Sequence, residues 1–421
     1  MRKLFFLAAI FAIAVPVKAQ KPEDATEALD KKKLDKAKEI VDKLTADPNQ
    51  KNAYAWLVKA QVYNTLATDD KYNAAIPDAY EQAFEAYKKA YELNPNEKFL
   101  MLDFYRTPFV AYEGIAGKAA KAYQENNFQS AFDNYKKVID YGNYLRTKGL
   151  SYNGYSVPKI DTGMVFMAGY TAMKLENNEE ALKYFKILAD AKINSEADYA
   201  IPYQFLSYYY KSKKDGENLK KYDSLGKALY PNDPYFTTIM IDYARAVNDY
   251  DALFSAYEEL IKMQPDTVDN YLSYASEMFN YLFKDSEKKP ANFDELANKI
   301  EANARKALAA NYEPFNANLI LAQLFYNQGL DFVTEYDKIK ASTKPNDVKK
   351  KTDLKAKAIA RYDLSIPYAE KVANELAAKP TLKIQEKATL KNMYIMLGDM
   401  YTLKGDKAKA AEYDKKYEGV K

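Results

Sequence analysis

The sequence predicts an all-α chain built as an array of antiparallel helix pairs, and three observations carry that prediction. Residues 394–413 place Tyr394, Leu397, Gly398, Tyr401, Gly405 and Ala410 at a large-x2-Leu-Gly-x2-Tyr spacing followed by Gly and Ala. Versions of this spacing recur, and its small-residue position steps by 34 residues from Ser207 to Ile241. Glycine is scarce, at 13 of 421 residues, and proline falls between the periodic segments, which suits a chain of helices. Recurrence at a fixed period means that each supersecondary unit buries its apolar side on its neighbours rather than in one central core.

The elements follow in order. Arg2 and Lys3, an apolar run of 12 residues from Leu4 to Val15, and Val17-Lys18-Ala19 before Gln20 have the layout of a cleavable secretory signal, residues 1–19. The run is too short to span a bilayer. No cysteine follows the cut to carry an acyl chain, so a periplasmic or otherwise exported chain without a lipid anchor is expected, with an envelope-associated complex possible as its setting. Residues 24–46 read as one helix closing at Asp47-Pro48. The first clear unit has Trp56, Ala60 and Tyr63, then a long loop with Asp69-Asp70 and Pro77, then Ala83, Tyr87, Ala90 and Pro95. A weaker unit follows with Ala119 and Ala122, a turn at Asn126-Asn127, and Ala131, Tyr135 and Val138. Residues 141–160, with Gly142, Gly149, Gly154 and Pro158, read as a structured loop.

From residue 161 to 280 the register is regular. Val165, Ala168, Gly169 and Ala172 lead to Ala181, Phe185 and Leu188. Tyr203, Leu206, Ser207 and Tyr210 begin the next unit, and Thr237, Met240, Ile241 and Ala244 the one after. Tyr271, Tyr274, Ala275 and Met278 precede a stretched turn at 284–293 and a second helix with Ile300, Ala304 and Ala307. Asn318, Leu321, Ala322, Phe325 and Gly329 have a second helix delayed until about 353–378, and the unit at 381–421 ends the chain with Asp414 where an aromatic is usual.

This pattern, with a small residue where two helices cross and a second helix of Ala-x3-aromatic-x2-Ala type, resembles the tetratricopeptide repeat over residues 50–421, as seen in exported bacterial proteins of that kind. The resemblance implies a right-handed superhelical α-solenoid of about eight repeats, some degenerate, in a single repeat domain over 20–421. It also implies that ligands lie on a concave side lined by the first helices. On that reading the wall is made by Phe166 and Tyr170, Gln204 and Tyr208, Thr238 and Asp242, with Lys211 and Arg245 one turn on. The family's clamp for a C-terminal carboxylate, built of lysines and asparagines, has no counterpart at the matching places.

Composition bounds the chemistry. The chain has no cysteine and no histidine, which removes thiolate and histidine metal sites, Ser-His-Asp triads and the usual general base near neutral pH. The signal holds three of the 62 basic residues and no acid, leaving 59 against 59 acidic residues and no global pull toward nucleic acid or anionic membrane. Residues 338–361 are the exception, with nine cations against two acids and Lys349, Lys350 and Lys351 in succession, and Asn346 or Thr352 is placed to begin a helix there. A charge run of this kind is ordinarily a solvated face, with an anionic or acidic partner as the functional alternative. No cofactor or metal is expected. The function expected is a non-enzymatic scaffold that binds a protein or peptide. The alternative is a carbohydrate- or small-molecule-binding protein of the cell envelope, given 39 tyrosines able to stack on sugar rings.

Overall fold

A computed structural model describes residues 20–103, 105–283, 289–340 and 344–420. Residues 1–19, where a cleavable signal is expected, and part of the stretched turn at 284–293 lie outside them. The chain divides into two compact units, one ending at Leu229 and the other starting at Tyr230.

The first unit contains α1 (Pro22–Asp30), α2 (Leu34–Leu44), α3 (Ala53–Thr68), α4 (Asp70–Ala75), α5 (Ala79–Leu93), α6 (Lys98–Leu102), α7 (Arg106–Gln124), α8 (Phe128–Thr147), α9 (Thr162–Lys174), α10 (Asn178–Asp190), α11 (Ala200–Ser212) and α12 (Gly216–Leu229). The second contains α13 (Pro234–Val247), α14 (Tyr250–Met263), α15 (Val268–Phe283), α16 (Phe293–Ala309), α17 (Pro314–Lys338), α18 (Pro345–Ala377), α19 (Ile384–Lys404) and α20 (Lys407–Glu418). Among the described residues the only extended pairing is a single bridge between Tyr152 and Tyr155. Both units are therefore all-α arrays of tetratricopeptide-like helix pairs. The pairs are α1/α2, α3/α5, α7/α8, α9/α10 and α11/α12, then α13/α14, α15/α16, α17/α18 and α19/α20.

One local device closes most of these pairs. The first helix ends on a residue with positive φ, at Asn126, Glu176, Lys214, Asn248 and Gly405. The next residue is Asn or Asp, and its N–H returns to a carbonyl five residues back: Asn127 to Ala122 (2.8 Å), Asn177 to Ala172 (2.9 Å), Asp215 to Tyr210 (3.0 Å), Asp249 to Ala244 (2.9 Å) and Asp406 to Tyr401 (3.0 Å). That bond satisfies a carbonyl left open at the first helix's C-terminus. The same Asn or Asp side chain then accepts an N–H of the second helix, as Asn127 does from Ser130 (3.2 Å) and Asp406 from Lys409 (3.1 Å). One dipeptide thus stops one helix and starts the next.

The structure corrects five expectations. Residues 24–46 form two helices, because Lys32 turns with φ +54° and the Lys33 N–H bonds the Ala28 carbonyl. The long loop after Tyr63 contains α4, capped by Asp69, which accepts the Lys71 N–H at 3.0 Å. Helix α8 runs on through Gly142 to Thr147, so the loop is shorter than expected and carries the Tyr152–Tyr155 bridge. Helix α18 starts at Pro345, far earlier than 353, since a proline at the first helical position loses no bond. Its interior also holds Pro367, which has no N–H to give, so proline is not confined to the joints.

Tyrosine does two jobs at once. The rings fill the gaps between pairs, and their hydroxyls donate to carboxylates of a neighbouring pair: Tyr63 to Asp42 (2.8 Å), Tyr274 to Glu258 (3.1 Å), Tyr326 to Asp399 (2.7 Å), and Tyr401 and Tyr413 both to Glu370 (3.0 Å each). A ring with a polar tip suits a seam that is dry on one side and wet at its edge.

Small residues sit where helices cross. A Cβ at Gly329 would stand 2.4 Å from the buried Tyr362 ring, which is stacked on Tyr326 with 5.6 Å between centroids. Gly117, on the open side of α7, would meet nothing within 4 Å. Alanine gains about 1 kcal/mol over glycine in a helix interior, whereas overpacking a fixed core costs about 1–3 kcal/mol. Gly117→Ala is therefore expected to stabilise by about 1 kcal/mol, and Gly329→Ala to destabilise by about 1 kcal/mol. Urea unfolding of both variants checks the opposite signs; the same sign in both would refute the close crossing.

Candidate interaction surface on the first helices

In the first unit, Phe166 and Tyr170 lie on α9 and Gln204, Tyr208 and Lys211 on α11. Phe166 and Tyr170 are one turn apart and stack at 5.7 Å and 14°. Phe166 meets Tyr199 edge-on at 5.3 Å, while Tyr170 meets Tyr123 of α7 at 6.2 Å and has the Lys174 ammonium 5.2 Å above it. These two rings are half-buried and tie first helices together, so much of their area already serves the fold. Tyr208 differs: it is 58% exposed, the aromatic with most free face in this set. Its neighbour Tyr209 points elsewhere and donates to Glu179 at 2.8 Å.

In the second unit, Thr238, Asp242 and Arg245 all lie on α13. Thr238 Oγ1 donates back to the Pro234 carbonyl at 3.0 Å. The Arg245 guanidinium donates to Asp242 (3.1 Å) on its own helix, to Tyr257 (3.0 Å) on α14 and to Glu277 (2.6 Å) on α15. It ties three helices, so its donors are largely committed to the fold. The eight residues read from the sequence therefore divide between two units: five in the first and three in the second.

Sequence reasoning missed a recess of about 340 Å³ in the first unit, lined by α1, α3, α7 and the turn before α7. It is polar, with Thr26, Gln61, Asn64, Asp103, Arg106 and Thr107 among its lining residues. Asn64 is only 7% exposed; its Nδ2 donates to the Thr107 carbonyl at 2.8 Å, and its Oδ1 has no partner among the described residues. Burial pushes the Asp103 carboxyl above its ordinary range, although it accepts the Thr107 N–H (2.8 Å), the Thr107 hydroxyl (2.9 Å) and Gln61 Nε2 (3.2 Å). Those three bonds make Asp103 an anchor for the start of α7 more than a group awaiting a ligand. Tyr105, next to this anchor, has φ +58°, a strained setting for an aromatic residue. The run Thr65, Thr68, Asp103 and Thr107 carried a signal only in hindsight, because its members come from three separate segments.

Lys349, Lys350 and Lys351 lie in the first two turns of α18, Lys351 half-buried and the other two exposed. Among the described residues no group of three or more Asp or Glu side chains is placed to hold a metal ion, and no helix is long and apolar enough to cross a membrane.

No family model and no curated protein matches the chain. Among solved structures it is similar to the tetratricopeptide repeat protein YrrB, which has an unusual peptide-binding site: 13% identity over 60% of this chain and 98% of that one, TM-score 0.30. It is also similar to a tetratricopeptide repeat protein of Parabacteroides merdae (12% identity, 79% and 99% covered, TM-score 0.30) and to BF2334 of Bacteroides fragilis (16% identity, 68% and 98% covered, TM-score 0.27). At this level no residue is carried across, and the assignment of helix pairs rests on the helices themselves.

Proposed function

We infer that this protein is an exported, non-enzymatic scaffold that binds another protein or a peptide on the first helices of its first unit. The observation that carries the reading is Tyr208, a large amphipathic side chain left open on α11, the first helix of the pair after the one that carries the half-buried Phe166–Tyr170 stack. Tyrosine anchors of this type supply much of the energy in protein interfaces. The N-terminal layout of a secretory signal supports export, and the absence of histidine and cysteine removes most general-base and nucleophile chemistry. The test is capture from cell-envelope extract with wild type and Tyr170→Ala/Tyr208→Ala. Partners held by the wild type are expected to be lost or strongly reduced by the double variant, and identical partner sets would reject this surface.

The polar recess beside Asn64 favours a second reading, a small polar ligand such as a sugar. Its volume falls in the range of small-molecule sites. A glycan array discriminates: binding of a defined sugar class that Gln61→Ala abolishes would move the function to this recess.

A further inference from the structure

Helices α17 and α18 outrun the array they belong to. The last buried residue of α17 is Gly329, and the first of α18 is Ala358. No described residue from 330 to 340 or from 344 to 357 is buried. The free part of α18 alone is about 20 Å long at 1.5 Å per residue. Between these two free ends lies a recess of about 400 Å³. Its apolar lining includes Val348, which is 49% exposed, together with Ile359 and the ring of Tyr336. Its cations are Lys340, Lys351 and Lys355, with Asp347 the one acid among the lining residues. The Lys351 ammonium stands 4.6 Å from the Tyr336 ring centroid.

The charge here is not what a solubilising face needs. Lys351 and Lys355 are four apart on one face and repel. Neither they nor Lys340 form an ion pair among the described residues, whereas Lys338 pairs with Glu335 at 2.8 Å and Lys299 with Glu258 at 2.8 Å. A mixed-sign surface would solubilise without that repulsion.

We propose that the recess between the free ends of α17 and α18 is a docking site for an acidic segment of a partner protein, whose carboxylates meet Lys340, Lys351 and Lys355 while an aliphatic side chain covers Val348 and Ile359. Charge complementarity selects the occupant. A membrane surface fits less well, because helices that lie on lipid present large apolar side chains outward, and the apolar groups here line a recess.

The test uses residues 20–421 and a fluorescein-labelled helical peptide that presents glutamates around leucines, read by fluorescence anisotropy. The expected result is saturable binding that weakens at least about tenfold in Lys351→Glu/Lys355→Glu and several-fold in Val348→Ser. The charge variant alone is expected to flatten the salt dependence. Circular dichroism is expected to be unchanged, since these side chains support no buried contact. Tyr170→Ala/Tyr208→Ala is expected to bind the peptide normally, which separates this site from the one on the first unit. No saturable binding, equal binding of the same peptide with lysine in place of glutamate, or binding to phosphatidylglycerol vesicles without binding to the peptide would each overturn the proposal.

Discussion

Replacing Phe185 by alanine is expected to lower the stability of the first unit by about 3–5 kcal/mol, the range for removing a fully buried phenylalanine. The ring, on α10, has no exposed surface. It covers Gly169 of α9 so closely that a Cβ there would stand 2.7 Å from it. It also meets Phe205 of α11 edge-on at 5.2 Å and Phe166 at 6.3 Å. One side chain therefore belongs both to the contact inside its own pair and to the contact with the next pair. In an array whose stability is a sum of repeat and neighbour terms, losing it removes one of each. Phe185→Leu, which keeps most of the apolar volume, is expected to fall between wild type and alanine. Urea unfolding followed by circular dichroism measures this, and a loss below about 1 kcal/mol for the alanine variant would mean that Phe185 does not join the two pairs.

The second large effect is alkaline. Burial pushes the phenols of Tyr184 and Tyr362 up to about 12. Burial, reinforced by carboxylates that accept their hydroxyls, also raises Tyr63, Tyr274 and Tyr326. The sign follows from proton binding. Above pH 10 the unfolded chain releases tyrosine protons that the folded chain still holds, so stability falls as pH rises. Below about pH 10, the ordinary value for tyrosine, this contribution is fully present. Lys299, kept protonated chiefly by its hydrogen bonds to Glu258 and Glu295, acts in the same direction. The helical signal is expected to hold to about pH 10 and then to collapse together with a rise in tyrosinate absorbance. Ionisation of most tyrosines near pH 10 with the helices intact would contradict the buried, hydrogen-bonded seams.

The helix pairs were legible because the pattern is physical at every position. Gly169, Gly329 and Gly398 read as crossings, and the first two face Phe185 and Tyr362 at distances that leave no room for a side chain. Gly398 faces Asp414 instead, whose carboxylate would lie 3.2 Å from a Cβ there. Asp414 is exposed, a setting that suits a carboxylate better than a ring. The pair α1/α2 was missed because three successive lysines hide a turn that asparagine or glycine would have announced. The repeat pattern put the start of α18 near 353 because it marks only the packed part of the helix, whose first buried residue is Ala358; Asn346, the other start the sequence offered, lies one residue from the actual start at Pro345. Candidate surface residues were less legible. Spacing places Tyr208 and Arg245 on equivalent faces, yet only the structure shows that Tyr208 is open and that Arg245 is held by Asp242, Tyr257 and Glu277. The recess at Asn64 has no local signature, since α1, α3 and the turn before α7 meet only after folding.

Diffraction from crystals of residues 20–421 is the decisive measurement. It is expected to show consecutive helix pairs in each unit, with Gly169 under the Phe185 ring, Gly329 under the Tyr362 ring, and Arg245 bonded to Glu277. Strands in place of these helices, or either glycine lying away from its aromatic partner, would contradict this arrangement.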